Sequence, residues 1–578
     1  MESTRYRRLM IVLVSFCLAG GVCGCLFGPD DKARMPYGVD AMASPLASSA
    51  AYRGTIGELT YFDGLIPLKV RGYGLVVGLG KNGSATCPDS VRTKLVQSLY
   101  KKHNFSSPVM GTAHISPEQL VDDIDTAVVL VEGEVPAGAT EGNRFDVRVR
   151  ALPGSSTKSL RGGRLYTTDL HIYQTVSVNM SISGRALAQA AGPLFLNPFS
   201  DDSSATRSNP LEASVVSGGM VVEGMRTRLV LVEPSYGKAK RIQDRINAQF
   251  PGGKRVADAT SPSFININIP AEYENDVSHF LHLLRALYLS RDPAFGTARS
   301  RILSEEIIRP EAPHALICLC FESLGRTAIP DLNKLYAHRE RHVSFYAAAA
   351  GLRLGDYIAV DAMAIHADDP HSEYRFQAIR ALGLARGMAN AAIALRRLLD
   401  NPDVRVKIAA YEALADRGDT SITSRKIAED NFILDQVSSK GPAFVYAKRQ
   451  DKRRIALFGQ SPECIPPLFY RAPDGGVTIN AEDNDEQLTL MRVSPQGTVS
   501  PPIPGPTDLA ALIRLLGNDA EMVGDKVVGL GVDYAAIVRA LYHLCEKDCI
   551  NADFVLEQPN VLELFGPARP AGRAESEL

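Results

Sequence analysis

Short apolar runs separated by turn residues dominate the first 290 residues of the chain. Residues 145–150 read Phe-Asp-Val-Arg-Val-Arg, and this alternation predicts a strand whose charged face carries Asp146, Arg148 and Arg150. Residues 125–135 form an apolar run that predicts a buried strand. Because strands and a few amphipathic helices mix without regular strand–helix–strand units, the pattern predicts an α+β fold.

The pattern changes near residue 300, where alanine- and leucine-rich helical periodicity begins. Gly325, Gly355, Gly387 and Gly418 follow helix-like segments at spacings of 30, 32 and 31 residues, which indicates helix-ending turns in a repeat. Such units cannot bury their apolar faces alone. The spacing therefore predicts a stacked, all-α solenoid over residues 300–428.

The clearest unit covers residues 403–414, where Asp and Arg follow Pro402 and precede an apolar stripe. Residues 374–383 repeat this pattern, and both segments resemble HEAT repeats. The helical spacing predicts an inner, buried stripe made of Ile408, Ala409, Ala413 and Leu414.

The last part of the chain returns to strand-like patterns. Residues 430–500 hold short apolar runs separated by turn residues, which predicts a small β-rich domain, either a meander or a sandwich. A proline-rich linker follows, and the spacing predicts helices over residues 508–516 and 534–545 within a helical C-terminal region, 507–565. The composition of residues 566–578 predicts a disordered tail.

The amino terminus carries an export signal. Three arginines precede an apolar run over residues 9–19, which is too short to span a membrane. A small residue before Cys25 resembles a bacterial lipoprotein cleavage box, so residues 1–25 are predicted to be a lipoprotein-type signal peptide and Cys25 its lipidation site. An ordinary signal with incidental cysteines is the alternative. The composition of residues 26–52 predicts a flexible tether.

A glycine-rich stretch, residues 72–83, encloses a short apolar run and predicts a strand that enters and leaves tight turns. Its end, Gly78-Leu-Gly80-Lys-Asn-Gly83, matches the GxGxxG dinucleotide-binding pattern. We interpret it as a structural turn, because Pro88 separates it from the next helix and no acidic residue ends a second strand about 20 positions later. We therefore predict no cofactor.

Length, charge and cysteine content further limit the domain organisation and the functions that the chain can have. A chain of 578 residues is too long for a single core, and its net charge of −2 implies no general attraction to nucleic acid. The cysteines beyond the signal are sparse for a disulfide scaffold, although an oxidising compartment permits a bridge or two. The four-residue spacing of Cys545 and Cys549 makes a bridge within one helix awkward, and such a bridge requires the helix to fray after Lys547.

The sequence contains no GxSxG, HExxH or Walker A motif and no metal-ligand spacing. Its paired carboxylates lie in turn-like contexts that favour loop charges or helix caps over acid–base pairs. We therefore predict a structural protein rather than an enzyme, without a metal.

Four stretches carry a family resemblance in a fixed order. The first three contain Gly72, Tyr73, Gly74 and Gly78; Ser159, Leu160, Arg161, Gly162 and Gly163; and Gly192 and Pro193. The fourth is the strand-to-helix segment 229–250. Together they resemble the signatures of the flagellar basal-body P-ring protein family. The resemblance covers about residues 53–290, within a predicted P-ring-like α+β domain over 53–295, and is under half of the chain.

The resemblance implies a structural subunit that forms or joins the periplasmic P ring around the flagellar rod. It implies contacts with other copies of the chain, the rod and the outer ring proteins, with peptidoglycan as a further contact. For Arg161 it implies a contact on a neighbouring subunit or the rod, the alternative being a solvated turn charge. The implied location is the periplasm, and a lipid on Cys25 would add anchoring at the outer membrane.

A second function stays open because no family signature is found beyond residue 290. In this alternative, the chain is a lipid-anchored envelope adaptor whose solenoid binds a protein partner. In either case the predicted fold class is multidomain α+β: a ring-type α+β domain, an all-α HEAT-like solenoid and a C-terminal β-rich domain with helices.

Overall fold

A computed structural model describes residues 46, 51–63, 65, 67–101, 116–173, 185–196, 209–251, 255–274, 276–428, 431–448, 452–472, 476–483, 485–493, 499–523, 526–527 and 529–557. The predicted signal peptide with Cys25, all but three residues of the predicted tether and the predicted tail lie outside the described residues.

The first half of the chain is an α+β structure. Its strands are β1 (Thr60–Asp63), β2 (Leu68–Val77), β3 (Ala127–Val135), β4 (Arg144–Ala151), β5 (Arg164–Ile172), β6 (Ala188–Pro193), β7 (Glu212–Val221), β8 (Thr227–Leu231), β9 (Ala257–Asp258) and β10 (Phe264–Ile267). Its α-helices are α1 (Ile56–Leu59), α2 (Asp89–Lys101), α3 (Pro117–Val121), α4 (Tyr236–Gln249) and α5 (Val277–Ala286).

Six of these strands close into a barrel in the order β2-β3-β4-β7-β6-β5. Every neighbouring pair is antiparallel, and register shifts interrupt three of the pairs, β2–β5, β4–β7 and β5–β6. Strand β4 shows the predicted alternation, because Phe145, Val147 and Val149 are buried whereas Asp146 and Arg148 are exposed. Bulges of this kind bend strands, which allows a six-stranded sheet to close.

A second antiparallel sheet has the order β1-β8-β10-β9 and lies under α4 and α5. Helix α4 begins after Ser235, whose hydroxyl accepts a hydrogen bond from the amide of Lys238 at 3.4 Å. Ile242 and Ile246 are fully buried against this sheet. The helical part of the resemblance segment 229–250 therefore forms an amphipathic helix.

A helical array follows. Its α-helices are α6 (Pro293–Glu306), α7 (His314–Leu324), α8 (Ile329–Leu335), α9 (Arg341–Arg353), α10 (Ile358–Asp368), α11 (Arg375–Leu384), α12 (Ala389–Leu398) and α13 (Val404–Arg417). Gly325, Gly355, Gly387 and Gly418 all have positive φ, between 68° and 83°, with open space around the missing side chain. They lie in the turns that follow helices, as predicted, and take a positive φ that glycine tolerates best.

Polar contacts in the array recur at the length of one repeat. Arg341 donates to the carbonyl of His371, 30 residues on, and Arg386 donates to the carbonyl of Asp416, also 30 residues on. Arg397 lies 3.3 Å from Asp368, and these residues are 29 positions apart. Side-chain contacts thus join neighbouring units, as in stacked repeats.

The predicted inner stripe of the last helix is correct for Ile408 and Leu414, which are buried, and wrong for its two alanines. Ala410 and Tyr411 are fully buried, whereas Ala409 and Ala413 are only half-buried. The reason is that α13 is covered on two sides, by the preceding repeat and by the C-terminal sheet, where Tyr411 hydrogen-bonds Asp435.

The C-terminal part combines two larger sheets, a short hairpin and two α-helices. Its strands are β11 (Ile422–Ile427), β12 (Phe432–Val437), β13 (Phe444–Ala447), β14 (Arg454–Phe458), β15 (Leu468–Arg471), β16 (Val477–Ala481), β17 (Leu488–Arg492), β18 (Ile503–Gly505), β19 (Met522–Val523), β20 (Lys526–Val527) and β21 (Asp553–Leu556). Helices α14 (Leu509–Gly517) and α15 (Tyr534–Glu546) match the two expected there.

Three details of this part differ from the sequence-based expectation. Strand β11 lies inside the range predicted to be helical repeats, and β21 lies inside the range predicted to be helical. The five-stranded sheet has the order β11-β12-β14-β13-β21, with β12–β14 and β13–β21 parallel, so it is not a simple meander. Only β15-β16-β17-β18 forms one. Parallel pairs join strands distant in sequence, which local patterns do not show.

The core does not break between the first half and the array. One cluster of buried apolar side chains includes Ile242 in α4, Phe280 in α5, Phe321 in α7 and Leu382 in α11. The barrel interior is a separate cluster, and so is most of the C-terminal core. None of the helices in the described ranges has the length and apolar character needed to cross a bilayer.

Candidate functional site at the glycine-rich end of the barrel

Three of the four resemblance stretches meet at one end of the barrel. Strand β2 pairs with the start of β5 (Val76 opposite Leu165), and β5 pairs with the end of β6 (Leu165 opposite Gly192). The turn before β5 is held to the same end, because the amide of Leu194 donates to the carbonyl of Gly163 at 3.0 Å. Residues far apart in sequence therefore form one compact structure.

Gly72 and Gly74 lie within β2, where the backbone of β5 comes close. A Cβ atom on Gly72 would lie 2.2 Å from the carbonyl oxygen of Asp169, and one on Gly74 would lie 2.4 Å from the hydroxyl of Thr168. Neither distance is compatible with a side chain. These glycines are required by close packing of the barrel wall.

Gly78 and Gly80 serve a different purpose. They have φ of 79° and 62° with open space around them, so they make the turn that leaves β2. Asp125 fixes this turn: its carbonyl accepts from the amide of Leu79 at 2.9 Å, and its carboxylate accepts from the amide of Gly80. Burial raises the pKa of the Asp125 carboxyl, while the amide of Gly80 opposes that shift.

The amides of the GxGxxG segment are therefore occupied by protein groups. Besides the two bonds to Asp125, the amide of Gly83 donates to the carbonyl of Ile124 at 3.0 Å. A phosphate-binding loop needs free amides that point at the anion. This geometry supports the interpretation of the segment as a structural turn.

The second resemblance stretch forms a tight turn against β2. Gly162 has φ of 74°, and a Cβ atom on Gly163 would lie 2.5 Å from the side chain of Val76. Leu160 is fully buried in the barrel, and the amide of Arg161 donates to the hydroxyl of Ser159 at 3.2 Å. The Arg161 side chain is half-buried, so it is not fully available to solvent.

The remaining stretch residues also have structural positions. Gly192 has φ of 140°, and a Cβ atom there would lie 2.8 Å from Val215. Pro193 is the last residue of β6 and pairs opposite Arg164 on β5. Tyr73 is half-buried beneath α2, against the cluster that includes Leu95.

The outer face of the barrel carries a row of ion pairs that the sequence only partly revealed. Arg71 on β2 pairs with Glu132 on β3, and Arg150 on β4 lies 3.8 Å from Glu132 and 2.9 Å from Glu212 on β7. The Arg71 guanidinium also lies 4.0 Å from the ring centre of Tyr173. Alternation in β4 predicted its charged face, but the opposing acids required knowledge of the strand order.

An open cleft of about 840 Å³ runs along this charged face. Its lining includes Lys69, Glu134, Asp146, Arg148 and Ser214. The lining therefore carries charges of both signs. Each pair is partly exposed and contributes little to stability by itself.

Three histidines of the array, His314, His342 and His366, pack against neighbouring rings or hydroxyls, whereas His371 is exposed. The rings of His314 and His342 lie 4.6 Å apart, and His314 stacks on Tyr346 at 5.6 Å. His366 is buried between the hydroxyls of Ser344 and Ser372. In the described part of the chain, no group of three or more His, Cys, Asp or Glu side chains is placed to hold a metal ion.

These features coincide with a family match. Residues 55–296 match the family described as flagellar P-ring protein. A second family, HEAT repeats, matches residues 360–426. The P-ring-like segment thus contains the barrel and the second sheet, and the HEAT match falls on the later helices of the array. The resemblance seen in the sequence, including its fusion to HEAT-like repeats, is confirmed.

Curated relatives bear the same description. Three named flagellar P-ring protein are 27% identical over 264 residues in Nitrobacter hamburgensis, 30% over 249 residues in Geobacter metallireducens and 31% over 252 residues in Geobacter sulfurreducens. These matches cover 43%, 41% and 41% of this chain. The chain spans less than two thirds of each relative, namely 64%, 62% and 61% of its length.

Proposed function

We propose that this protein is a structural subunit of the flagellar basal body that forms or joins the P ring around the rod. The observation that carries the proposal is the match of residues 55–296 to the P-ring family. The structure supports it, because the resemblance glycines have structural positions in a closed barrel.

The proposed partners follow from that role. They are other copies of this chain, the rod, the outer ring proteins and, as a further contact, peptidoglycan. The barrel end with Arg161 and the charged cleft are the surfaces we assign to these contacts. We also propose the domain limits 53–295, 300–428, 430–500 and 507–565, although a single apolar core crosses residue 295. No catalytic activity, metal or cofactor belongs to this proposal.

The experiment is electron cryotomography of basal bodies in cells that lack this protein. We expect the ring density around the rod to be lost, and swimming to be lost with it. The full chain supplied from a plasmid should restore both. A matched variant, Arg161→Ala, tests the barrel end, because it leaves the turn glycines intact. Normal ring density in cells that lack the protein would contradict the proposal.

The array provides a specific reason to keep the adaptor function as a second candidate. Ile358 and Ile365 on α10 are 55% and 69% exposed, and Ile393 on the neighbouring α12 is 53% exposed. The pair Asp368–Arg397 joins the ends of these two helices, so the three isoleucines lie along one face. Adjacent exposed apolar residues mark contact surfaces more often than isolated ones do.

The two candidates give different results for the double variant Ile365→Ser with Ile393→Ser. If the chain is mainly an adaptor, the variant should keep its fold but lose its partner in co-purification. If it is mainly a ring subunit, the variant should still co-purify with basal bodies. Arg380→Ser, an exposed change on α11, is the matched control.

We further propose that the protein is exported to the periplasm and anchored through a lipid on Cys25. Two or more acyl chains hold a protein firmly, whereas one holds it weakly. Cys25→Ser should release the protein into the soluble periplasmic fraction, and Cys23→Ser should not. A fatty-acid analogue supplied to cells should label the wild type only through Cys25. If the wild type takes up no label and stays soluble, the proposed anchor is wrong and the amino terminus is an ordinary cleaved signal.

A further inference from the structure

Three cysteines that are distant in sequence come together in the C-terminal part. Cys464 precedes β15, Cys545 lies in the last turn of α15, and Cys549 follows that helix. All three belong to one apolar cluster, in which Cys464 is buried and the other two are half-buried. The structure describes all three as free thiols.

The backbone fixes which way two of these thiols point. The segment at Cys464 runs antiparallel to the segment after α15, because Cys464 pairs opposite Ile550 and the amide of Ile465 donates to the carbonyl of Cys549 at 2.8 Å. Directly opposite residues share a face, and successive residues alternate between faces. Cys464 and Ile550 therefore share one face, and Ile465 and Cys549 share the other.

Burial identifies the inner face. Cys464 and Ile550 are buried, whereas Ile465 is 48% exposed. The thiol of Cys549 donates to the carbonyl of Lys547 at 3.5 Å, near its own helix end. Cys549 therefore lies on the opposite face of this strand pairing from Cys464, at the margin of the same apolar cluster.

Cys545 lies on the inner side with Cys464. It directly follows Leu544, which is buried in the same cluster, and the ring of His543 stacks on Tyr470 at 6.1 Å, which holds the end of α15 against β15. Burial raises the pKa of the Cys545 thiol to about 12, and the nearby Cys464 is the next contribution. Burial also raises the pKa of Cys464 to about 12, with a smaller contribution from Cys549.

We propose that Cys464 and Cys545 form a disulfide bond in the exported protein. The pair joins the segment before β15 to the last turn of α15 across roughly 80 residues of sequence. Cys464 and Cys545 pack against the same apolar cluster from separate segments, whereas Cys545 and Cys549 flank one helix end only four residues apart, where a bridge is geometrically awkward. The proposal rests on the proposed export, because such bonds persist in oxidising compartments.

The bond forms by exchange with a disulfide-bearing oxidant. One cysteine thiolate attacks a sulfur of the oxidant, forms a mixed disulfide and releases one oxidant thiol. The second cysteine thiolate then attacks the protein sulfur of that mixed disulfide and releases the second oxidant thiol. Two electrons and two protons pass from the cysteine pair to the oxidant. Because both thiols are buried in the folded domain, the exchange takes place while the chain folds.

The test uses the full chain refolded in buffers of oxidised and reduced glutathione. Digestion without reductant, followed by mass spectrometry, should show one peptide pair that links Cys464 to Cys545. The link should persist in Cys549→Ser and disappear in Cys545→Ser. Reducing the wild type should lower the Tm of the transition in which the C-terminal part unfolds by roughly 4 °C or more. A link through Cys549, or no link under oxidising buffer, would overturn the proposal.

A second experiment tests the disulfide bond separately from the proposed export. Thiols are trapped with a maleimide in intact cells, and the same peptides are then measured. A linked pair in cells supports both proposals. A link that forms in buffer but not in cells supports the pairing and contradicts export.

Discussion

At the scale of single residues, Gly72 and Gly78 belong to one glycine-rich stretch but are required for different reasons. Gly72 faces the backbone of β5, and Gly78 has a positive φ in open space. The sequence shows only that both are glycine. Their separate roles depend on which strand lies beside β2, and this cannot be deduced from the pattern along the chain.

These roles predict different penalties for alanine. Gly72→Ala places a methyl group 2.2 Å from a carbonyl oxygen of the barrel wall, so the strand must move, and we expect a loss of about 3 kcal/mol. Gly78→Ala has space but an unfavourable φ of 79°, and should lose about 1–2 kcal/mol. Thermal unfolding followed by circular dichroism measures both, with the exposed Ser90→Ala as control. A larger loss at Gly78 than at Gly72 would contradict this assignment.

A second residue-scale prediction concerns acid stability at the end of the array. Burial alone would raise the pKa of Asp419, but hydrogen bonds from Arg396 and Ser421 outweigh it and lower the pKa to about 2. Because the pKa is lower in the folded chain, this stabilisation is present above about pH 4 and is lost as the pH falls towards 2. Arg396 is partly exposed, so solvent screening reduces the contribution to about 1 kcal/mol.

Asp419→Asn should therefore destabilise the array by about 1 kcal/mol at pH 7 and have almost no effect at pH 2. Chemical denaturation at several pH values between 2 and 7 measures the difference. Asp361→Asn, on an exposed face of α10, is the control. An equal loss at both ends of the pH range would show that Asp419 acts through packing rather than charge.

At the scale of elements, the helical array was the most predictable part of the chain. The four glycines that end its helices recur at regular spacing, and their φ values show why glycine is used there. The inner face of α13 was less predictable. An amphipathic pattern assumes one buried side, whereas this helix also carries Tyr411 against the C-terminal sheet.

Because Ala410 rather than Ala409 is fully buried, a charge at Ala410 should be the more destabilising change. Ala410→Asp places a carboxylate at a fully buried position without a partner, and we expect a loss of several kcal/mol, enough to unfold the end of the array. Ala409→Asp, at a half-buried position, should lose much less. The two variants differ by one residue on the same helix and serve as each other's control. Equal melting temperatures in the two variants would support the inner stripe first predicted from the sequence, which includes Ala409.

In the barrel, the individual elements could be predicted from the sequence but their arrangement could not. Its strands could be predicted one by one from alternation and apolar runs. Their order could not, because β7 lies between β4 and β6 and β5 closes onto β2. The ion pairs of Glu132 with Arg71 and Arg150 join three strands, so the charged cleft follows from strand order rather than from any motif.

At the scale of the whole molecule, the C-terminal part packs against both the array and the barrel. Tyr411 on α13 donates to the buried carboxylate of Asp435 at 2.5 Å, and Arg454 donates to the same carboxylate at 2.7 Å. On the barrel side, Phe195 lies 6.1 Å from the ring of Tyr534. Local patterns identified the elements of each part, but these long-range contacts depend on how the parts are arranged.

The network around Asp435 should join the array and the C-terminal sheet into one unfolding unit. Asp435→Ala leaves Arg454 buried without its carboxylate, and we expect a loss of about 3–5 kcal/mol. Differential scanning calorimetry should then resolve a separate, earlier transition for the C-terminal part. Asp485→Ala, in a loop of that part, is the control. One unshifted transition in Asp435→Ala would show that the network does not couple the two parts.

The contact with the barrel gives the last prediction. Phe195 and Val216 belong to the barrel but are buried within the C-terminal cluster, next to Phe432 and Tyr534. Phe195→Ser should remove this anchor at a cost of about 2–4 kcal/mol and release the C-terminal part from the barrel, while the barrel interior stays folded. Hydrogen exchange should show faster exchange around Tyr534 and unchanged protection in β3. Met220→Ser, an exposed change on β7, should alter neither. Unchanged exchange around Tyr534 in Phe195→Ser would mean that the C-terminal part is held by the array alone.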